Sequence, residues 1–370
     1  MNMIAIEDCC EILDSVRVPV TAADREKGQN PYYVANGIQD YIAGYIFDDE
    51  LVLLAEDGGN FGSKDRPIAY RVSGKCWVNN HAHVLKPKEG LNVDYLCYAL
   101  MFYKVDGIIN GATRQKLTQT SMKKMQIPLR SMKEQVQIVD RLNRIIKIKE
   151  QRLQELQLLE KIVKARFVEM FGDENNSKNW NVVNVEEVAD VQVGVVIKPS
   201  QYYTDESEGV RAFRSLNIGA GFIKDIDWVY FTKEGHQKNS KSILKENDLL
   251  IVRSGAPGTA CVVTEEYAGC NAVDIIIAHP DCEKVNPYYL CTFTNMPHGK
   301  KQIDEGIGGA AQQHFNVGKY NKLQLMLPPI ELQNQFADFV RAVDKSKVEV
   351  QKALDKTQML FDSLMQQYFG

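Results

Sequence analysis

The chain has 370 residues, 44% of them hydrophobic and 25% charged, with a formal net charge of −4. That length supports two or more domains, each with its own core, and no apolar run approaches the ~20 residues a membrane span requires. The opening MNMIAIEDCCEILDS is acidic and lacks a basic n-region before an apolar stretch, so no secretory signal is expected. Eight cysteines without a CxxC or finger spacing fit reduced thiols in a cytoplasm, and no metal site is expected.

In chain order, YIFDDELVLLAEDGG reads as strand and turn. DGGNFGSKDR (57–66) misses both the spacing and the order of a phosphate-binding G-x-x-x-x-G-K-[ST] and reads as a surface loop offering Asn60, Lys64 and Arg66. CWVNNHAHVLKP alternates like a strand. Its His81 and His83 are joined by no Cys or carboxylate cluster, which favours a hydrogen-bonding role over metal ligation. VDYLCYALMFYK is helical, and GATRQKL then offers Arg114, Gln115 and Lys116 from a glycine-introduced loop. Residues 132–171 contain neither Pro nor Gly and read as one helix of roughly 60 Å at 1.5 Å per residue. Leu142, Ile146, Leu153, Leu156, Val163 and Phe167 trace its heptad seam, Gly172 stops it, and GDENNSKN follows as a linker.

The second half repeats this order with KENDLLIVRSGAPG, GCNAVDIIIAHP and NPYYLCTFTNM. NIGAGF (217–222) reads as a turn between strands, and the lone Asp274 does not support a nuclease site. NPYY occurs at 30–33 and 286–289 and differs from the N-P-P-Y of amino-methyltransferases by a tyrosine for the second proline; a helix start or turn is the simpler reading of both. After Pro328-Pro329 a second long helix runs to about Tyr368, with Phe336, Val340, Val343, Val350, Leu354 and Phe361 on its seam.

The two halves are copies. From Gly111 to Gly172 and from Gly309 to Gly370 the register holds at an offset of 198 without a gap, pairing Gln115 with Gln313, Lys124 with Lys322 and Gln135 with Gln333. In the globular parts Glu50-Leu51-Val52-Leu53 is expected to match Asp248-Leu249-Leu250-Ile251, and Asn79 to match Asn271. A unit of this length means two domain-sized modules, not a solenoid. Charge is uneven: 111–172 holds 14 Lys/Arg against 6 Asp/Glu, inside an otherwise acidic chain. That segment is a place where a polyanion is met or a solvated helix face. Divergent loops on a shared scaffold point to one task on two targets.

At the module–helix junctions, Arg114, Gln115 and Lys116 stand where Gln312, Gln313 and His314 stand in the second copy. Arg and Lys donate to guanine or to phosphate, and Gln pairs with adenine. Asn60, Lys64, Arg66, Arg214, Lys241 and Arg253 are further polar or cationic side chains expected on loops.

IPLRSMKEQVQIVDRLNRI, LEKIVKARFVEMFGD, GATRQKLTQTSMKKMQIPL and EDGGN…VNNHAHVL make the chain resemble the specificity subunit of type I restriction–modification systems; MLFDSLMQQYFG departs from it in lacking basic character. The resemblance implies an α+β fold of two mixed α/β target-recognition domains (1–130 and 173–329). Spacer helices follow at 131–172 and 330–370 and pair as an antiparallel coiled coil with pseudo-two-fold symmetry. It further implies a non-catalytic reader of a bipartite, asymmetric double-stranded DNA target. The candidate contacts are then Arg114, Lys116, Gln312, Gln313 and His314, with Asn60, Lys64, Arg66, Arg214, Lys241 and Arg253, and Arg114→Ala is expected to lower the DNA affinity of the assembled complex. Two methyltransferase subunits carrying S-adenosylmethionine and a restriction subunit using ATP and Mg would be its partners, and this chain would bind no cofactor. A coiled-coil adaptor for protein ligands is the competing reading. A self-contained adenine methyltransferase is disfavoured by the missing cofactor and N-P-P-Y motifs.

Overall fold

The computed structural model describes residues 2–63, 65–111, 115–307 and 315–370. The chain divides into two compact units, the first comprising 1–153 and 352–370, the second 154–351. Among the described residues no helix is long and apolar enough to cross a membrane.

The first unit opens with β1 (Met3–Ala5), the one-turn α1 (Ile6–Cys9) and β2 (Cys10–Ile12). A hairpin follows, β3 (Lys27–Val34) and β4 (Gly37–Ile42), then β5 (Phe47–Ala55), β6 (Ala69–Val78) and β7 (Ala82–Pro87). The expected single strand over 76–87 is thus two, parted by a turn at Asn80-His81. The first NPYY lies inside β3 and starts no helix. Strands β2-β7-β5-β6-β3-β4 form one sheet, antiparallel except for β3 with β6. Leu51 to Ala55 are all buried because β5 is covered on both faces: Leu51 and Leu53 pack with Val72, Val78 and Val84, while Val52 and Leu54 face α2 (Val93–Met101). A strand covered on both sides has no polar face to show in its sequence. After α3 (Gln119–Lys123), β8 (Gln126–Pro128) pairs with β1.

The helix α4 spans Met132–Phe171, as its unbroken periodicity predicts. Ser131 caps it: the Glu134 carboxylate accepts the Ser131 N–H at 3.0 Å and its hydroxyl at 2.6 Å. Gly172 (φ +87°) closes it in the left-handed region that favours glycine, its N–H on Val168 O at 2.8 Å.

The second unit continues through β9 (Asn181–Asn184), β10 (Ala189–Val193), β11 (Tyr203–Thr204), β12 (Val210–Phe213), β13 (Val229–Phe231) and α5 (Lys233–Lys238). Next come β14 (Leu249–Val252), β15 (Ala260–Val262), β16 (Asn271–Ala272), β17 (Ile275–Pro280), α6 (Pro287–Asn295) and α7 (Pro297–Ile307). It ends with α8 (Val317–Asn321), β18 (Gln324–Leu327) and α9 (Ile330–Phe369), whose last turns belong to the first unit. Two sheets form, β10-β17-β14-β15 and β11-β13-β12-β16, and β18 pairs with β9. NIGAGF is the expected turn, bridged from Ile218 to Ile223, and the second NPYY starts α6 with Pro287 in its first turn.

Within each unit α4 and α9 run antiparallel. In the first, Arg141 donates to the Tyr368 hydroxyl at 3.0 Å and Lys149 bonds Gln358, with its ammonium 5.5 Å from the Phe361 ring centroid. In the second, Phe167 packs on Phe336 at 5.5 Å. Leu142, Phe167, Phe336, Val340, Val343, Val350 and Phe361 are buried, and Ile146, Leu156, Val163 and Leu354 half-buried. Leu153, expected on the seam, is 48% exposed. The inward positions step 142, 145, 149, 152, 156, so half-buried Arg152 takes that place and Leu153 falls beside it.

The duplication is carried by matched hydrogen bonds. The buried Gln135 accepts the Asn92 N–H at 2.8 Å and donates to Gly90 O and Arg130 O, both at 2.9 Å. The buried Gln333 accepts the Asn286 N–H at 2.8 Å and donates to Lys284 O at 3.3 Å and Pro328 O at 2.8 Å. Tyr95 donates to Pro128 O at 2.9 Å, and Tyr289 to Met326 O at 2.6 Å. The Tyr95 ring lies tilted against Phe369 with centroids 5.1 Å apart, and Tyr289 meets Phe171 edge-to-face at 4.7 Å.

Strand register corrects one expectation. Val52 pairs with Leu85 as Leu249 pairs with Ala278, and Val52 and Leu249 both face the helix-side cores. The strands therefore match at 197, not 198; the slip of one residue would turn every side chain to the wrong face. Nor do Asn79 and Asn271 correspond. Asn79 caps the His81 N–H at 2.8 Å, whereas Asn271 bonds His236 and Ser242.

Candidate nucleic-acid interface

In the first unit four turns converge at the C-terminal end of β5. The Asn36 amide of the β3–β4 turn donates to Gly58 O at 2.9 Å, and the Glu56 N–H bonds His81 O at 2.9 Å. Asp57 accepts from His81 Nδ1 at 2.7 Å, and Leu117 N–H returns to Glu56 O at 2.7 Å, which fixes the far side of the 111–116 junction. Between the hairpin and these turns lies an open cleft of about 550 Å³, with Arg25, Tyr32, Asn36, Gln39, Asn80 and His81 on its walls. Asn80 is exposed and its side chain makes no hydrogen bond among the described residues, as does the Asn60 amide, which is half-buried. Sequence reasoning passed over Asn36, Gln39 and Asn80. The Ala35-Asn36-Gly37 turn between two alternating runs was the available signal.

Behind this end lies an ion network centred on the buried Asp14 and His83. His83 bonds Asp14 at 2.6 Å through Nδ1 and Leu117 O at 2.8 Å through Nε2. Arg17 pairs with Glu56 at 2.6 Å, Lys116 with Glu56 at 3.0 Å, and Gln119 donates to Asp14 at 3.0 Å. Asp14, Glu56 and His83 would sit close enough to share a metal ion. The two carboxylates are, however, already engaged by Arg17, Lys116, Gln119 and the Val84 N–H, and both His83 nitrogens are bonded, so the cluster is a closed ion network. Burial alone would raise both carboxyls. Hydrogen bonds from His83 to Asp14, and from Arg17 and Lys116 to Glu56, outweigh it and hold both below the ordinary range.

Arg66 is exposed, without a side-chain partner among the described residues; its N–H bonds Ser63 Oγ at 2.9 Å. Lys116 is half-spent on Glu56. Lys64, Arg114, Gln312, Gln313 and His314 lie outside the described residues.

The second unit builds the matching end differently. Arg253 occupies the place of Glu56: its carbonyl accepts the Phe315 N–H at 3.1 Å, as Glu56 O accepts that of Leu117. Its guanidinium pairs with Asp274 and donates through Nε to Phe315 O at 3.3 Å. Arg214 is paired likewise, with Asp227 at 2.9 Å. Lys241 is exposed but apart from this group. Its carbonyl takes the Gln192 amide at 2.7 Å, beside His279 and Asp248, at the other end of β14 and β17 from Arg253.

The model of the type I restriction modification DNA specificity domain matches residues 1–158 and again 177–357. A putative type I restriction enzyme specificity subunit of Haemophilus influenzae is 28% identical over 341 residues, covering 90% of this chain and 85% of that protein. The MjaVIII specificity subunit of Methanocaldococcus jannaschii is 22% identical, covering 96% and 90%. The S subunit of M. genitalium shares the fold at a TM-score of 0.59 and 13% identity, over 100% of this chain and 96% of that one. With two copies of the family domain spanning nearly all of it, the chain belongs to the type I restriction–modification DNA specificity family, as a non-catalytic subunit that recognises DNA sequence.

Proposed function

We propose that each module reads one half of a bipartite, asymmetric DNA target, that the paired helices set the distance between the halves, and that methyltransferase subunits, two per chain, bind the helices. The recognition domains are 1–130 and 173–329, and the helices 131–172 and 330–370. One observation carries this reading: the Gln135 and Gln333 clamps are the same in both modules, while the outward end carries Glu56 in one and Arg253 in the other. A preserved scaffold with inverted loop chemistry fits two different half-sites. Helices of 40 residues, ~60 Å long at 1.5 Å per residue, exceed one turn of duplex at ~34–36 Å.

In this reading the methyl donor S-adenosylmethionine belongs to the methyltransferase subunits, and ATP with Mg to a restriction subunit. The complex works in the cytoplasm, and this chain supplies sequence choice. The test is to map N6-methyladenine across the source genome with and without this gene. One bipartite, non-palindromic motif should vanish on deletion. An unchanged map with partner subunits expressed would favour a protein adaptor.

A further inference from the structure

Ile197, on the segment that leaves β10, is 80% exposed, the most exposed large hydrophobic side chain among the described residues. Its turn is anchored. Gly194 N–H bonds Ile275 O at 2.9 Å, Val195 N–H bonds Ala272 O at 2.8 Å, and Asp274 N–H bonds Val195 O at 3.1 Å. The same Asp274 receives Arg253, so the turn stands at the end of the sheet where Phe315 bonds Arg253. Lys198 follows at φ +44°, a conformation uncommon for a residue with a side chain, and Gln201 N–H closes onto its carbonyl at 3.1 Å. The Lys198 side chain is exposed and makes no bond among the described residues. The first unit does the same after β2: Val16 and Val18 are exposed, and Val18 O is held by the Trp77 indole N–H at 2.6 Å.

We propose that Ile197 reads a thymine of the second module's half-site through its 5-methyl group, with Lys198 on a neighbouring phosphate. This rests on the DNA-reading assignment of that end. In the major groove thymine is the base marked by a methyl group, and apolar side chains recognise it there. An aliphatic tip with a free ammonium beside it suits a methyl next to a phosphate better than it suits a wholly apolar protein partner.

The experiment uses the assembled complex and its mapped target, with deoxyuridine replacing thymidine one position at a time, which removes only the methyl. The wild-type complex should lose about fourfold in affinity at one position of one half-site, the effect of burying one methyl group. Ile197→Ala should bind the two duplexes equally, while Ile197→Val keeps the discrimination. Equal uridine sensitivity in wild type and Ile197→Ala overturns the proposal, as does a second half-site without thymine. If Ile197→Ala instead impairs assembly and leaves base discrimination intact, the tip faces a protein and the proposal fails. Failure of the underlying reading looks different: no methylated motif would depend on this chain at all.

Discussion

In the first unit Gln135 satisfies one N–H and two carbonyls at the start of α4, and in the second Gln333 satisfies the three equivalent groups at the start of α9. At the other end of the same modules the chemistry is inverted. Glu56 gathers Arg17 and Lys116 in one, while Arg253 holds Asp274 in the other. The interiors differ too: Phe167, Phe171, Tyr289 and Phe336 form an aromatic cluster in the second unit, where the first has Ile138 and Phe369 around Tyr95. Duplication has thus preserved the hydrogen bonds that dock a helix and released the packing and the loops. Buried polar groups tolerate no substitution that leaves a partner unsatisfied, whereas apolar volume is exchangeable.

The largest expected effect tests that equivalence. Gln135→Leu and Gln333→Leu each strand three main-chain groups, and each should cost its unit about 3 kcal/mol, the low end for several unsatisfied buried groups. Urea midpoints followed by Trp77 for the first unit and by Trp180 and Trp228 for the second would report the two separately. A loss in one unit only would break the comparison, because the clamps would then be alike in geometry and unlike in weight.

Acid should separate the units. Asp14 and Glu56 have folded-state pKa values below their ordinary 3.8 and 4.5, so their contribution is present above those values and is lost as pH falls through the folded ones. The Trp77 transition should therefore weaken as pH drops below 4.5, and Glu56→Gln should flatten that limb while lowering stability at neutral pH. Parallel acid curves for wild type and Glu56→Gln would show that the network does not set the first unit's acid response.

The long helices were legible because 40 residues without Pro or Gly keep a helical period that no other structure accommodates. The strand equivalence was not. Leu51 to Ala55 are apolar at every position, so alternation is silent, and only the pairing of Val52 with Leu85 reveals which face is which. Leu153 was misplaced for a related reason. Arg152 lies half-buried on the inward row, its Nε buried and unpaired among the described residues, which a search for apolar residues passes over. The loop cations Arg214 and Arg253 were legible as charges but not as spent ones, since Asp227 and Asp274 lie 13 and 21 residues away and only the fold brings them near.

That distinction between spent and free cations gives the smallest effect and a clean one. Arg66 is exposed with no intramolecular partner among the described residues, whereas Lys116 braces Glu56. Arg66→Ala should leave stability within about 0.5 kcal/mol. In the assembled complex it should reduce the slope of log K against log salt by about 0.9, one released counterion's worth. Lys116→Ala should cost up to about 1 kcal/mol of stability, since half the side chain is in water and the pair is screened. Its salt slope reports which role dominates: an unchanged slope means bracing, a drop like that of Arg66 means contact. An unchanged slope for Arg66→Ala would remove the 57–66 loop from the DNA surface and leave the turns around Asn36 and Asn80 to carry the reading.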